Sequence, residues 1–252
     1  KNTPQETGPL VSVLIPVCNV EKYLVKCLDS VVGQTLREIE IIVINDGSTD
    51  GSPEIIRDFA GKDPRIQVID KPNSGYGSSM NMGLDRARGQ YVAIVESDDF
   101  IDPDMLAALY RLSRNGTVDV VKANFFNYYE EPGKPVALFP DRDREMIPDS
   151  GKPFTLRENG QISWGHPSVW SAIYRRAFLE ENRIRFKEEK GGGWVDNPFF
   201  YETISKASGI MWTRTPYYYY RKTNATSSSN RQLDVSLPFR RMLDNLEVLR
   251  ST

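Results

Sequence analysis

Between residues 11 and 126 the sequence keeps switching between a strand-like and a helix-like pattern, and this restricts the fold more than any other feature. "VSVLIPV" (11–17) and "IEIIVIND" (39–46) are short apolar runs, and the consecutive β-branched residues Ile41 to Ile44 favour strand over helix. Between them Val20, Leu24, Cys27, Leu28 and Val31 recur at helical spacing after Asn19, a residue suited to cap a helix. Ser52 and Pro53 open a helix through "PEIIRDFA", and "RIQVID" is a third strand. Residues 78–88 form a helix stopped by Gly89, and "YVAIVES" (91–97) is a fourth strand. "PDMLAALYRLSRN" is a helix closed by Gly116, and "DVVKANFF" is a fifth strand. Such alternation predicts an α/β fold, a parallel sheet with helices on both faces. Sheets of this kind bind ligands beyond the carboxyl ends of their strands. Here those ends carry Pro16-Val17, Asp46-Gly47-Ser48 and Glu96-Ser97-Asp98-Asp99.

From 127 to about 165 the pattern gives way to Pro-, Gly- and charge-rich sequence that reads as an excursion. "WSAIYRRAFLEENRIRF", "DNPFFYETISKA" and "GIMWTRTPYYYYR" follow as helix, helix and strand. Strand alternation sends two of the rings Tyr217 to Tyr220 to each face. No internal repeat is visible, and one domain is expected over 1–252. Within it, 11–126 form a first half, 127–230 a second half and 231–252 a C-terminal helix.

A net charge of −2 gives no electrostatic reason for a nucleic-acid partner. No apolar run approaches the ~20 residues of a membrane span. Locally alternating basic residues leave room for peripheral membrane association. The opening "KNTPQETGPL" has neither a methionine nor a secretory leader, and the chain stops in "DNLEVLRST" as if mid-helix, so it reads as a piece of a longer protein. Cys18 and Cys27 make no disulfide framework, which favours a reducing, cytoplasmic setting, with the inner face of the membrane as one location. The single histidine, His166, rules out a multi-histidine metal site.

The loop "NDGSTDGSP" poses the sharpest question. Asp46, Ser48, Asp50 and Gly51 fall at the first, third, fifth and sixth positions of a calcium loop, but the twelfth, which needs a bidentate acid, is Arg57. A phosphate loop needs a lysine after its last glycine, and Gly51 is followed by Ser52-Pro53. A nucleotide base fits better: a carboxylate accepts from the N3–H of uracil or thymine and disfavours cytosine. A turn whose aspartate caps the next helix is the plainer reading. "VESDDFIDPD" then places three acids within four residues. Beside a diphosphate such acids make sense with a divalent cation between, and magnesium or manganese commonly bind through one or two carboxylates plus phosphate oxygens.

"VSVLIPVCNVEKYLVKCLDSVVGQT", "EIIVINDGSTDGSPEII", "NSGYGSSMNMGLDRARGQYVAIVESDDFIDPDML" and "WVDNPFFYE", in that order, resemble a family-2 inverting glycosyltransferase with the GT-A fold. The resemblance is dense from 11 to about 110 and looser to about 230. It implies that Pro16, Val17 and Glu21 line the base pocket, that Asp46 binds uracil, and that Asn73 and Asn81 stand near the nucleotide. It makes Asp98 the last aspartate of the D-x-D element, with Asp99 and Glu96 completing a set for Mn2+ or Mg2+. Asp196 falls at the catalytic base and Arg221 near the donor phosphates. Cys18, Asn45, Met80, Glu96 and Val195 depart from the family's usual residues.

The implied reaction moves a sugar from a nucleotide donor, a UDP-sugar, to a hydroxyl of a glycan or lipid-linked acceptor, as in the building of surface polysaccharide. Trp194 and His166 are the candidates for the acceptor side, since aromatic rings cover the C–H faces of sugars. A non-catalytic nucleotide-sugar-binding module on the same fold is the alternative. A sugar-nucleotide pyrophosphorylase would want a glycine-rich basic loop after the first strand, where "PVCNVEKYL" has no glycine.

Overall fold

All seven residues of β1 (Val11–Val17) and all eight of β2 (Ile39–Asp46) are buried, as strands covered on both faces must be. The structure, a computed structural model, describes residues 8–142, 147, 149, 151–164, 166–189 and 195–224. The expected 231–252 helix and Trp194 therefore lie outside the described residues.

After β1 come α1 (Glu21–Val32), β2, α2 (Ser52–Lys62), β3 (Ile66–Lys71), α3 (Tyr76–Arg86) and β4 (Tyr91–Ile94). Leu24, Cys27, Leu28 and Val31 form the buried stripe of α1, as the sequence periodicity predicts. Next are β5 (Phe100–Ile101), α4 (Met105–Leu112), β6 (Val120–Tyr129) and β7 (Ala137–Pro140). The chain continues through β8 (Ala172–Arg175), α5 (Arg176–Glu181), α6 (Asp196–Lys206) and β9 (Ile210–Arg221).

One nine-stranded sheet runs in the order β3-β2-β1-β4-β8-β6-β9-β5, with β7 on β6. β3, β2, β1 and β4 are mutually parallel, as are β6 and β9, whereas β8 is antiparallel to both of its neighbours. Strand order reverses between β1 and β4, so the crevice beyond their carboxyl ends is the switch point of the sheet. The cluster Glu96–Asp99 follows β4 directly into it.

Two expectations need correcting. The fifth expected strand, β6, does not extend the parallel set beside β4, because β8 is inserted between them. And 170–186, read as one helix, splits into β8 and the short α5. An apolar run as short as "SAIY" suits either conformation, and the unpaired edges of β4 and β6 decide for strand. The excursion after residue 126 likewise contains a strand, β7.

At the amino ends of the strands Glu40, 3% exposed, collects donors from three elements. Ser12 Oγ donates at 2.6 Å, Gln67 Nε2 at 2.9 Å, and Arg88 through its backbone N–H at 2.7 Å and its guanidinium at 2.9 and 3.0 Å. Burial alone would raise the carboxyl pKa; the bonds from Ser12 and Arg88, with the Arg88 charge, outweigh it and hold the group below its ordinary value. A depressed carboxylate gives its full stabilisation above the unfolded pKa, ~4.3, and loses it as pH falls through the folded value. Glu40→Gln should therefore lower the unfolding free energy at neutral pH by about 1–3 kcal/mol, with the gap closing in acid. Urea melts across pH check this, and a gap that is flat with pH would contradict it.

Candidate active site

Hydrogen bonds lace the loop leaving β2 to the start of α1. Asp50 accepts from the Glu21 N–H at 3.0 Å and from the Ser52 N–H at 3.0 Å, so one carboxylate satisfies first-turn donors of both α1 and α2. Those donors outweigh the upward pull of its partial burial and keep its pKa low. Asn19, expected as a helix cap, has φ 53° and instead accepts the Thr49 N–H at 2.7 Å. Glu21, expected in a base pocket, accepts the Gly51 N–H at 2.5 Å and so fastens the loop. The Asp50 half of this loop is a brace between helices.

Asp46 is the other half. Its carboxylate, 5% exposed, pairs with the Lys71 ammonium and accepts the N–H groups of Ser74 at 2.8 Å and Gly75 at 3.0 Å. Asn73 Nδ2 donates to the Asp46 carbonyl at 3.0 Å and to Cys18 Sγ at 3.3 Å. Gly47 (φ 68°) makes this approach possible, since a Cβ there would lie 2.7 Å from Asn73 N. Asp46, Asn73 and the exposed Cys18 thus meet at the mouth of β1 and β2. Pro16 and Val17 are buried inside β1, so Cys18 is the residue of that strand's exit that reaches the surface.

The acid turn after β4 holds three carboxylates, and the fold treats each differently. Asp99 is 1% exposed: Tyr218 Oη–H donates to its Oδ2 at 2.9 Å and the Arg221 N–H to its Oδ1 at 2.7 Å. Burial, reinforced by Asp98, raises its pKa well above the carboxylate range. Glu96 accepts the Tyr76 hydroxyl at 2.7 Å, and its own N–H donates to Tyr218 Oη at 3.0 Å. Burial, with the charges of Asp98 and Asp196, pushes Glu96 up to about 8 against the opposing Tyr76 bond. Asp98 receives Asn224 Nδ2 on Oδ2 at 2.7 Å, and its Oδ1 has no hydrogen-bond partner among the described residues. Asp196, the first residue of α6, is half-buried and acts electrostatically on both Glu96 and Tyr76, which brings the expected base to the acid turn.

The expected metal set is Glu96, Asp98 and Asp99. Among the described residues no group of three or more His, Cys, Asp and Glu side chains is arranged to hold a metal. Asp99 is turned into β9. Asp98, with its unpartnered oxygen and Glu96 beside it, fits the mode in which one or two carboxylates share an ion with substrate phosphates. Arg221, expected at the donor phosphates, is 5% exposed. Its guanidinium lies between the rings of Tyr23 and Tyr128, 4.7 and 4.9 Å from their centroids. Nε donates to the Asp98 carbonyl at 2.9 Å and Nη1 to Glu130 at 2.6 Å. Asn81 is likewise engaged: Nδ2 donates to Phe186 O and Glu188 Oε1 at 2.9 and 2.8 Å, and Oδ1 accepts the Phe186 N–H at 3.0 Å. It ties α3 to residues 186–188.

His166, expected at the acceptor, lies among Phe125, Trp170 and Tyr220, and its Nδ1 accepts the Ser168 N–H at 3.0 Å. Trp170 stacks on Tyr218 with centroids 4.2 Å apart, while Tyr219 stacks on Phe100. The tyrosine run therefore alternates as expected, with Tyr218 and Tyr220 on the Trp170 side. Two participants escaped sequence reading. Tyr218 stood undistinguished within its run. Lys122, 1% exposed on β6, donates to Pro167 O and Ser171 Oγ at 3.0 Å and to Ser168 O. Its only sequence signal is one charge inside an apolar strand. It holds a turn in which Ser168 adopts φ 39° and which carries Trp170.

An α/β sheet of this order, with an acid turn at its switch point and a second carboxylate brought to it by a later helix, defines a GT-A-type protein. The profile of Glycosyl transferase family 2 matches residues 12–183, and the chain belongs to that family. It is 34% identical over 217 residues to EpsH of Bacillus subtilis (strain 168), covering 84% of this chain and 61% of EpsH. Glycosyltransferase GlyA of Streptococcus pneumoniae serotype 4 is 37% identical over 193 residues, 75% of this chain and 28% of GlyA. The crystal structure of S. aureus TarS 1-349 in complex with UDP-GlcNAc superposes with a TM-score of 0.79 at 25% identity, covering 94% of this chain and 66% of that one. The chain thus spans less than two thirds of the length of each of these proteins.

Tyr218→Phe keeps the ring on Trp170 but leaves Asp99 Oδ2 and the Glu96 N–H without that hydroxyl. Orphaned buried groups of this kind cost about 1–3 kcal/mol. Chemical denaturation should show a loss of that size, whereas an unchanged midpoint would mean the hydroxyl holds nothing together.

Proposed function

We propose that this chain is an inverting glycosyltransferase domain. It takes a sugar from a UDP-sugar and places it on a hydroxyl of a glycan or lipid-linked acceptor. The observation that carries the reading is the pairing of the acid turn with Asp196 at the switch point of the sheet. UDP is favoured because TarS, the structural neighbour, was crystallised with UDP-GlcNAc.

In this reading the base of the nucleotide lies against the mouth formed by Cys18, Asp46 and Asn73. A carboxylate offers about four lone-pair positions, and three donors occupy those of Asp46. The remaining one accepts the uracil N3–H. The diphosphate lies along Glu96–Asp98. A divalent ion, Mn2+ or Mg2+, bound there through Asp98 with Glu96 beside it, supplies Lewis-acid neutralisation of the leaving diphosphate.

The rest is done by the chain itself. The acceptor hydroxyl oxygen forms a bond to the anomeric carbon from the face opposite the diphosphate. The bond from that carbon to the diphosphate oxygen breaks, and its electron pair leaves with the diphosphate. The hydroxyl proton passes to the Asp196 carboxylate. In-line displacement of this kind inverts the anomeric centre. Asp99, Tyr218 and Arg221 keep the turn in place beneath the reacting groups.

Calorimetric titration with UDP, TDP, GDP and CDP, with and without Mn2+, tests the donor. UDP should bind, and more tightly with the metal; a chain that binds none of the four would overturn the reading. Asp196→Asn should reduce transfer by ~10²–10⁴-fold while leaving the UDP dissociation constant unchanged. Preserved turnover in that variant would remove Asp196 from the role of base.

A further inference from the structure

Two consecutive residues at the start of α3 reach two parts of the site. The Gly75 N–H donates to the Asp46 carboxylate at 3.0 Å, and the Tyr76 hydroxyl donates to Glu96 Oε1 at 2.7 Å. The Tyr76 ring is itself held. It meets Phe186 edge-on with centroids 5.8 Å apart, and Phe186 stacks on Phe199 of α6 at 4.1 Å. A tyrosine packed in this way, on a residue whose backbone is fixed by a helix start, presents its hydroxyl at a defined place.

That bond takes up one oxygen of Glu96 and spares the other. Oε2 has no hydrogen-bond partner among the described residues and reaches solvent. The backbone of Glu96 is fixed as well, since its N–H donates to Tyr218 Oη at 3.0 Å. A free glutamate side chain has several rotamers to lose on meeting a ligand, and an anchored one has already lost them. Glu96 is therefore held at both ends, with one oxygen open, two residues from Asp98, which also keeps an oxygen without a partner.

We propose that Tyr76 is a positioning residue for the divalent ion: its hydroxyl orients the Glu96 carboxylate so that Oε2 serves the ion together with Asp98. Tyr76 does not touch the ion. Groups that orient a ligating carboxylate raise metal affinity all the same, and losing one typically costs ~10–100-fold. This rests on the proposed binding of the ion at Glu96–Asp98 and adds to it the residue that prepares that site.

The test is Tyr76→Phe in the full chain, which keeps the ring on Phe186 and removes the hydroxyl. UDP is titrated calorimetrically at a series of fixed Mn2+ concentrations, and the readout is the Mn2+ concentration at which the tightening of UDP binding is half complete. In Tyr76→Phe it should rise about 10–100-fold, while the UDP dissociation constant without metal stays at the wild-type value. Glu96→Ala should raise it at least as much. Adding Tyr76→Phe to Glu96→Ala should then change nothing further, because the tyrosine acts only through that carboxylate. An unchanged Mn2+ requirement in Tyr76→Phe overturns the inference. So does a loss that persists in the Glu96→Ala background, or a matching loss of metal-free UDP binding, since either would mean the hydroxyl merely supports the fold. A wild type that binds UDP equally well with and without Mn2+ overturns the inference and leaves the donor standing. A wild type that binds no nucleotide fails earlier, and the function above falls with it.

Discussion

The site depends on a carboxylate that never faces the crevice. Asp99 is closed inside the protein between the Tyr218 hydroxyl and the Arg221 N–H, and those two bonds fasten the acid turn to β9. Arg221 then reaches back to the Asp98 carbonyl while its guanidinium is clasped by Tyr23 of α1 and Tyr128 of β6. One residue pair near the end of β9 therefore sets the position of a turn that follows β4, and ties it to the first helix as well. Among the described residues, Asp98 and Glu96 each keep one carboxylate oxygen without a hydrogen-bond partner.

Three acids this close would repel one another if all were ionised. The fold resolves the problem with donors that carry no full charge: two tyrosine hydroxyls and a backbone N–H contact Asp99 and Glu96. Burial and the mutual repulsion raise both groups, Glu96 to about 8 and Asp99 well above its usual range. Cys27, whose Sγ lies 3.6 Å from the Glu96 carbonyl, is raised by burial and then by the same acids. These shifts leave the turn less negative than three ionised carboxylates would make it. Lysine and arginine nearby are spent on scaffolding: Lys122 on the Trp170 turn, Arg221 on the aromatic clasp.

Much of this was legible in the sequence. Alternating periods gave the α/β sheet and placed the acid cluster at a strand end, because burial on both faces leaves a near-continuous apolar run. The ordered motifs gave the family. The sequence could not say which acid is available, since that is decided by Tyr218, which lies 119 residues from Asp99. Nor could it show that Asn81, Glu21 and Arg221 have their polar groups taken up by 186–188, by Gly51 and by Glu130, because each partner comes from a distant part of the chain. The missed strand β8 has the same origin: four residues of ambiguous preference, settled by the two strand edges between which they lie.

The most direct measurement of the central claim is a crystal structure of the chain with UDP and Mn2+. The account predicts the ion on the Asp98 carboxylate and the diphosphate, with Asp99 still bonded to Tyr218 Oη and the Arg221 N–H. An Asp99 carboxylate released from β9 and coordinated to the metal would contradict it.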